Sequence, residues 1–360
     1  MKHFSCKTQI ISGTGALETL KDRNISRLLL VSDPYFVKNG MAQKLIGKTN
    51  ATSYQIFDKI VPDPTLHLAA EGTNIVNTFA PDTIIALGGG SAIDCAKAMA
   101  YFSAQKAQFI AIPTTSGSGS EVTDFAILTH DGIKHPLVDK SLCPDVAILD
   151  SDLLTALPPS LIADTGFDVL CHALEAYVAK DACAITDALA REAFCTAYNH
   201  LRASFSGTLA VRQKMHEAST MAGLAFTHAG LGLTHALAHA LGGVFHLPHG
   251  RLNAILLPAV IDFNCPAAAS RYAALSRSAE LGSSADTLAV RNLKTALISL
   301  RRDLGMPQNL LQAGADKQVL SREKENIVCA VLSDPCCSTN PVAPDGAAVV
   351  RILEAVTGNG

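Results

Sequence analysis

The sequence predicts two domains: an α/β domain over residues 1–157, built on a Rossmann-like parallel sheet, and an all-helical bundle over residues 158–360. Three observations lead there. In the first half, short apolar runs bounded by Gly, Asp and Pro alternate with stretches of helical spacing, the pattern of strands buried on both faces of a parallel sheet with helical crossovers. Within that half, TIIALGGGSAIDCAKAMA, from Thr83, runs a strand through three glycines into a helix. After Pro158 and Pro159 the chain turns to long Ala- and Leu-rich segments with almost no β-branched runs.

Taken in order, RLLLVS (Arg27 to Ser32) is a strand, followed by a helix through about Asn50 and a second strand at SYQIFD. A helix from Leu66 to Phe79 leads into the strand that ends at Leu87, with the next helix starting near Ser91 and another strand at FIAI. The C-terminal half carries helical segments at 160–179, 185–204, 209–228, 231–244 and 251–263, then several more to about 357, which pack as a bundle.

Composition narrows the function classes. The chain has 29 Lys+Arg against 32 Asp+Glu, a net charge of -3 without a basic run, so the footprint of a nucleic-acid or anionic-membrane binder is missing and a small-molecule substrate is expected. Apolar runs such as LNAILLPAVI, from Leu252, reach about half of the ~20 residues needed to cross a bilayer. The start, MKHFSCKTQIISG, has no apolar signal core, so a soluble, cytoplasmic chain is expected. Ten cysteines without a C-x-x-C pair read as reduced thiols rather than zinc ligands.

The triple glycine marks a candidate anion site. A helix N-terminus offers free N–H groups and a positive dipole end, and glycines let the backbone approach a pyrophosphate. Ser91 and Asp94 have the spacing of a capping box, and an ordinary strand-to-helix turn explains the same residues. A second loop, PTTSGSGSEVT from Pro113, supplies six hydroxyls at the end of a parallel strand, where a nucleotide is met. SGTG at Ser12 reads as a turn. Asp33, just past RLLLVS, is placed to accept hydrogen bonds from an adenosine ribose and to repel a 2′-phosphate, which favours NAD over NADP.

In the helical half, Asp168 and His172 are four apart on one helix face, as are His235 and His239. His249 follows Pro248 in a loop where the chain turns back, with Gly242 and Gly243 ending the helix before it. An isolated Asp/His pair is usually a surface hydrogen bond. One carboxylate with several imidazoles, however, suits a first-row divalent metal such as Fe²⁺ or Zn²⁺, in a catalytic or a closed structural site. H-E-x-x-H is absent, which argues against a zinc protease. His246 is either a neighbour of the site or a polar helix exit; His216 and His228 read as structural.

At these residues the chain resembles the iron-containing, or group III, alcohol dehydrogenase family. The resemblance is carried by VPDPT at Val61, GGGSAIDCAKA at Gly88, PTTSGSGSEVT at Pro113, PDVAILD at Pro144, TGFDVLCHALEAY at Thr165 and GLGLTHALAHALGGVFHLPHG at Gly230. Within the family the chain looks most like the branch that serves propanediol and ethanolamine utilisation. One departure is Val342, where the family usually has Arg after Asn-Pro.

The resemblance implies that Asp168, His172, His235 and His249 are metal ligands. It puts Gly89, Gly90, Ser91 and Asp94 at the pyrophosphate turn and Thr114, Thr115 and Ser118 in the second cofactor loop. Asp33 and Asp63 fall on the adenosine side, Lys134 falls near the nicotinamide ribose, and His239 becomes a proton relay. It further implies an NAD-dependent dehydrogenase using Fe²⁺, or Zn²⁺, on a short primary alcohol or its aldehyde, with the dehydroquinate synthase-like architecture. Its expected setting is a cytoplasmic homodimer, associated with a bacterial microcompartment and binding neither nucleic acid nor membrane. Phe125, Leu231 and Phe245 are candidates for apolar pocket walls. Glycerol dehydrogenase-like chemistry and a non-catalytic NAD- and metal-binding scaffold remain the rival readings.

Overall fold

The computed structural model describes residues 3–130 and 133–358. It divides into two compact units, Ser5–Leu157 and Pro158 onward, and Phe4 clusters with the second, its ring 4.5 Å from that of His228.

The first unit holds strands β1 (Gln9–Ser12), β2 (Arg27–Ser32), β3 (Ser53–Phe57), β4 (Thr83–Gly88), β5 (Gln108–Pro113), β6 (Phe125–His130), β7 (Ile133–Val138) and β8 (Val146–Leu149). Its helices are α1 (Pro34–Lys38), α2 (Met41–Ile46), α3 (Leu66–Phe79) and α4 (Gly90–Phe102). Six strands form one sheet in the order β1-β8-β5-β4-β2-β3, every pairing parallel. Alternate residues of its central strands feed two separate cores. Leu28, Leu30, Ile85, Leu87, Ile110 and Ile112 join one with α2, while Leu29, Val31, Ile84, Ala86 and Ala111 join the other with α3 and α4. Burial on both faces explains why these strands read as continuous apolar runs rather than alternating ones.

The sheet also differs from expectation. The helix expected through Asn50 is broken into α1 and α2 by Asn39 and by Gly40, which lies in the left-handed region at φ 80. Edge strand β1, the four-residue β8 beside it and the antiparallel β6–β7 hairpin are short or half-exposed elements that apolar patterning does not mark. At SGTG, the buried carboxylate of Asp150 accepts from the amides of Gly15 and Leu17 at 3.1 and 3.0 Å, so this loop is a closed turn.

The second unit is helical: α5 (Pro159–Val178), α6 (Ala184–Phe205), α7 (Arg212–Ala229), α8 (Leu233–Phe245), α9 (His249–Ser278), α10 (Asp286–Asp303), α11 (Leu310–Ala313), α12 (Lys317–Arg322), α13 (Lys324–Ser333) and α14 (Gly346–Thr357). Helix α5 packs against α6, α7 and α9 and is buried along almost its whole length. The core of α8, α9, α13 and α14 is aliphatic, with Phe245 packed half-buried against it.

Three local expectations are corrected here. Helix α8 runs on through Gly242 and Gly243 and is ended by His246, left-handed at φ 53, whose amide donates to Gly242 O at 2.9 Å. His249 is the first residue of α9 rather than part of a loop. And α9 continues past 263, through Pro258 and Pro266, to Ser278. Proline cannot donate to the carbonyl four residues back. For Pro258 that carbonyl belongs to Ala254, and the buried Arg301 of α10 supplies the missing donor, Nη1 to Ala254 O at 2.8 Å. Burial pushes this guanidinium down to about 10. The uninterrupted α9 is long and apolar enough to cross a membrane by length and composition, contrary to the reading of its separate runs. Over half of that stretch is buried inside the helical unit.

If Arg301 replaces a proline's missing N–H, Arg301→Leu leaves the Ala254 carbonyl buried and unpaired, at a cost of about 1–3 kcal/mol. The urea midpoint should fall with an unchanged slope; an unaltered midpoint would count against the substitution role.

Candidate functional site

In the α/β unit, β3 and β4 lie on opposite sides of β2, so the strand order reverses between β2 and β4. Ligands of open parallel sheets bind beyond the carboxyl ends of the strands at such a reversal. Asp33 follows β2 and the glycine turn follows β4. The two meet: a Cβ on Gly88 would sit 3.7 Å from Asp33 Oδ2. Asp33 caps α1 by accepting from Tyr35 N at 2.9 Å, and partial burial raises its carboxyl above the ordinary range.

The turn itself has Gly89 as N-cap of α4, with no side-chain cap. The Ser91/Asp94 capping box is therefore corrected. Ser91 lies inside the first turn, and Asp94 is buried further along the helix, its Oδ2 accepting from Ile127 N at 3.1 Å and its carboxyl pushed up by burial. The missing cap leaves the first amides of α4 without a side-chain acceptor, as an anion site requires. The second loop lies against this turn: a Cβ on Gly90 would come within 3.0 Å of Ser118 Oγ, and one on Gly89 within 3.2 Å of Thr115 Oγ1. Thr114 N donates to Gly88 O at 3.0 Å.

A residue that motif reading passed over holds this loop. Lys97, on α4 and 1% exposed, donates its ammonium to Thr123 O, Thr123 Oγ1 and Phe125 O at 2.8, 2.9 and 2.8 Å. Lys134 and Asp63, expected near the nicotinamide ribose and on the adenosine side, lie side by side and form an ion pair at 2.7 Å.

In the helical unit, Asp168, His172 and Glu175 recur at i, i+4 and i+7 along one face of α5. Asp168 Oδ1 lies 4.0 Å from His172 Nε2, 3.8 Å from His235 Nε2 and 3.6 Å from His249 Nε2. These separations approach the edges of a tetrahedron with metal bonds near 2.1 Å, which are about 3.4 Å. Asp168, His235 and His249 form the compact trio. His172 stands beside it, its ring stacked at 4.5 Å on both His235 and Phe226.

The donor set fits a cation. Burial, with His172 alongside, pushes His235 well below the usual histidine range, so the ring is neutral. Its Nδ1 meets Glu175 Oε2 at 2.6 Å, which leaves Nε2 as a lone-pair donor. Asn253, one turn after His249, marks the point of convergence. Its buried Nδ2 lies 2.8 Å from Asp168 Oδ1, 3.2 Å from His235 Nε2 and 3.1 Å from His249 Nε2. Three acceptors from three helices therefore face one donor. A two-toothed pair, Arg251 Nε and Nη2 on Asp164 Oδ1 and Oδ2 at 3.2 and 2.9 Å, locks α9 to α5 beside them.

His239 lies one turn past His235, its ring stacked 5.2 Å from His249. Its Nδ1 is bonded to Asp334 Oδ2 at 2.8 Å. Burial works against the Asp334 carboxylate, but that bond holds it below the ordinary range. With Cys336 these two form the other group of possible metal donors among the described residues. Burial drives the Cys336 thiol well above its usual range, the reverse of what a thiolate ligand needs. Asp334, Glu175 and Asn253 escaped sequence reading. Glu175 had a legible signal, its i+7 position after Asp168; the others depend on tertiary contacts.

Residues 7–151 match the family described as iron-containing alcohol dehydrogenase, and residues 162–357 match the C-terminal domain of the Fe-containing alcohol dehydrogenase family. A 1-propanol dehydrogenase PduQ of Citrobacter freundii is 41% identical over 98% of this chain and 99% of its own. An NADPH-dependent butanol dehydrogenase of Clostridium saccharobutylicum is 36% identical over 99% and 98%. A crystal structure of sulfoacetaldehyde reductase from Bifidobacterium kashiwanohense in complex with NAD⁺ superposes with a TM-score of 0.89, at 26% identity over 100% of both chains.

His235→Ala removes the acceptor at the centre of the trio. After loading with Fe²⁺ or Zn²⁺ the variant should retain essentially no metal by elemental analysis; retained metal with full turnover would overturn the ligand assignment.

Proposed function

The chain belongs to the iron-containing alcohol dehydrogenase family, and from that premise we propose that it interconverts a short primary alcohol and its aldehyde with NAD(H) and a divalent metal. The observation that carries this reading is the convergence of Asp168 Oδ1, His235 Nε2 and His249 Nε2, with His172 alongside, on one point inside the bundle. The relatives named for 1-propanol and butanol support short aliphatic substrates, and the NAD⁺-bound neighbour supports the nucleotide. The same resemblance is the basis for proposing a cytoplasmic homodimer associated with a bacterial microcompartment.

Asp168, His172, His235 and His249 would hold Fe²⁺ or Zn²⁺. When bound, the metal supplies Lewis acidity toward the carbonyl or alcohol oxygen, and the nicotinamide donates or accepts the hydride. The amides at the start of α4 receive the pyrophosphate, and the hydroxyls of Thr114, Thr115 and Ser118 line the loop that meets it. Asp33 accepts from the adenosine ribose hydroxyls. His239 handles the proton. Because Asp334 occupies its Nδ1, Nε2 is the atom that takes a proton released on alcohol oxidation and returns it on aldehyde reduction.

The direct test is NADH oxidation under anaerobic conditions with propionaldehyde and its shorter and longer homologues, with Fe²⁺ or Zn²⁺ restored. Turnover that depends on metal and peaks at short chains is expected; NADH and metal binding without turnover on any aldehyde would favour the scaffold reading. In the same assay His239→Ala should keep its metal and lose about 10²-fold or more in kcat. Unchanged kcat would remove it as the relay.

The nucleotide preference has its own test, since one relative is named for NADPH. Asp33→Gly should lower the NAD over NADP ratio of kcat/KM by roughly tenfold, through loss of repulsion toward a 2′-phosphate. An unaltered ratio would locate the selectivity elsewhere.

A further inference from the structure

Helix α8, which carries His235 at its third position, begins without a side-chain cap of its own: its N-cap is Gly232. The amides there are nevertheless fully used by groups from distant segments. Glu175 Oε2 accepts from Gly232 N at 2.9 Å, Glu175 Oε1 accepts from Thr234 N at 2.7 Å, and Asn340 Oδ1 accepts from Leu233 N at 3.0 Å. Three successive N–H groups thus close on two buried side chains, one from α5 and one from the segment after α13. Asn340 is itself locked by paired amide bonds with Asn264 of α9, at 3.0 and 2.7 Å, and by donating to Val342 O at 2.7 Å.

The same carboxylate does a second thing. Glu175 Oε2, while accepting from Gly232 N, also lies within hydrogen-bond distance of His235 Nδ1, at 2.6 Å. One carboxylate therefore fixes the start of the helix and the face of the ring that the helix presents. Only glycine admits it: a Cβ at position 232 would lie 2.9 Å from Glu175 Oε1 and 2.7 Å from Asn340 Oδ1. The positive end of the α8 dipole adds to the reasons for a buried anion at this place.

We propose that Glu175 is a positioning residue of the metal site, which caps α8 and holds His235 in the Nδ1-protonated tautomer so that Nε2 faces Asp168 and His249. The inference rests on the metal reading above and adds to it a residue that does not touch the metal. Glutamine cannot replace it. Three N–H donors point at the carboxylate, and the Gln amide offers one accepting oxygen and turns an NH₂ toward another donor. A partner that orients a metal-bound histidine typically accounts for 10- to 100-fold in affinity.

The test is competitive Zn²⁺ titration of metal-free wild type, Glu175→Gln and Glu175→Ala, with circular dichroism to verify the fold, joined to ¹⁵N-histidine NMR of the metal-free proteins. The wild type should show a low-field Nδ1–H signal that vanishes in Glu175→Gln, separate from the His239 signal that vanishes in Asp334→Asn. Glu175→Gln should bind Zn²⁺ about 10- to 100-fold more weakly. A folded Glu175→Gln that binds within threefold of wild type overturns the inference and leaves the metal reading standing. Wild type that binds no Zn²⁺ overturns the metal reading and the inference with it. Should the variants fail to fold, the wild-type spectrum decides: His235 protonated at Nε2 instead of Nδ1 contradicts the proposal.

Discussion

Much of the helical unit is organised around one electrostatic constraint: α5 carries three carboxylates into its interior, Asp164, which Arg251 pairs, and on the same face Asp168 and Glu175. A buried carboxylate is tolerable only when donors or cations surround it. Glu175 is met by two backbone amides and an imidazole. Asp168 is met by the Asn253 amide and faces three imidazole nitrogens. The two solutions are coupled through His235, whose Nδ1 serves Glu175 and whose Nε2 faces the Asp168 group. Ring stacking of His172 on His235, and of His239 on His249, then places every histidine of the cluster relative to that one.

The segment from Asp334 to Asn340 has a similar logic. Asp334 holds His239 near the middle of α8, and Asn340 holds its first turn. A stretch that carries none of the proposed ligands thereby touches the ligand helix twice. The departure at Val342 fits this picture, because Asn340 uses the backbone carbonyl of that residue and not its side chain.

What the sequence made legible follows from periodicity and local chemistry. Strand β2 and helix α3 were readable residue for residue, since double-sided burial and an amphipathic repeat are written locally. The clustering of Asp168, His235 and His249 was foreseen through helical spacing and through the resemblance of their motifs. Misreadings occurred where a distant group altered a local rule. Pro258 ought to break α9, but Arg301 from α10 supplies its missing bond. Gly242 and Gly243 look like a helix end, yet His246 takes the left-handed position. Ser91 and Asp94 have capping spacing, yet Asp94 bonds across to Ile127. Glu175, Asn253 and Lys97 acquire roles only when elements far apart in sequence meet.

The central claim is that one carboxylate and three imidazoles converge on a metal. X-ray absorption spectroscopy of the metal-loaded protein reads that shell directly. Oxygen and nitrogen scatterers only are expected, at about 2.0–2.2 Å, with the outer-shell pattern of three imidazoles. A sulfur scatterer near 2.3 Å would place the metal at Cys336, with His239 and Asp334, and contradict it.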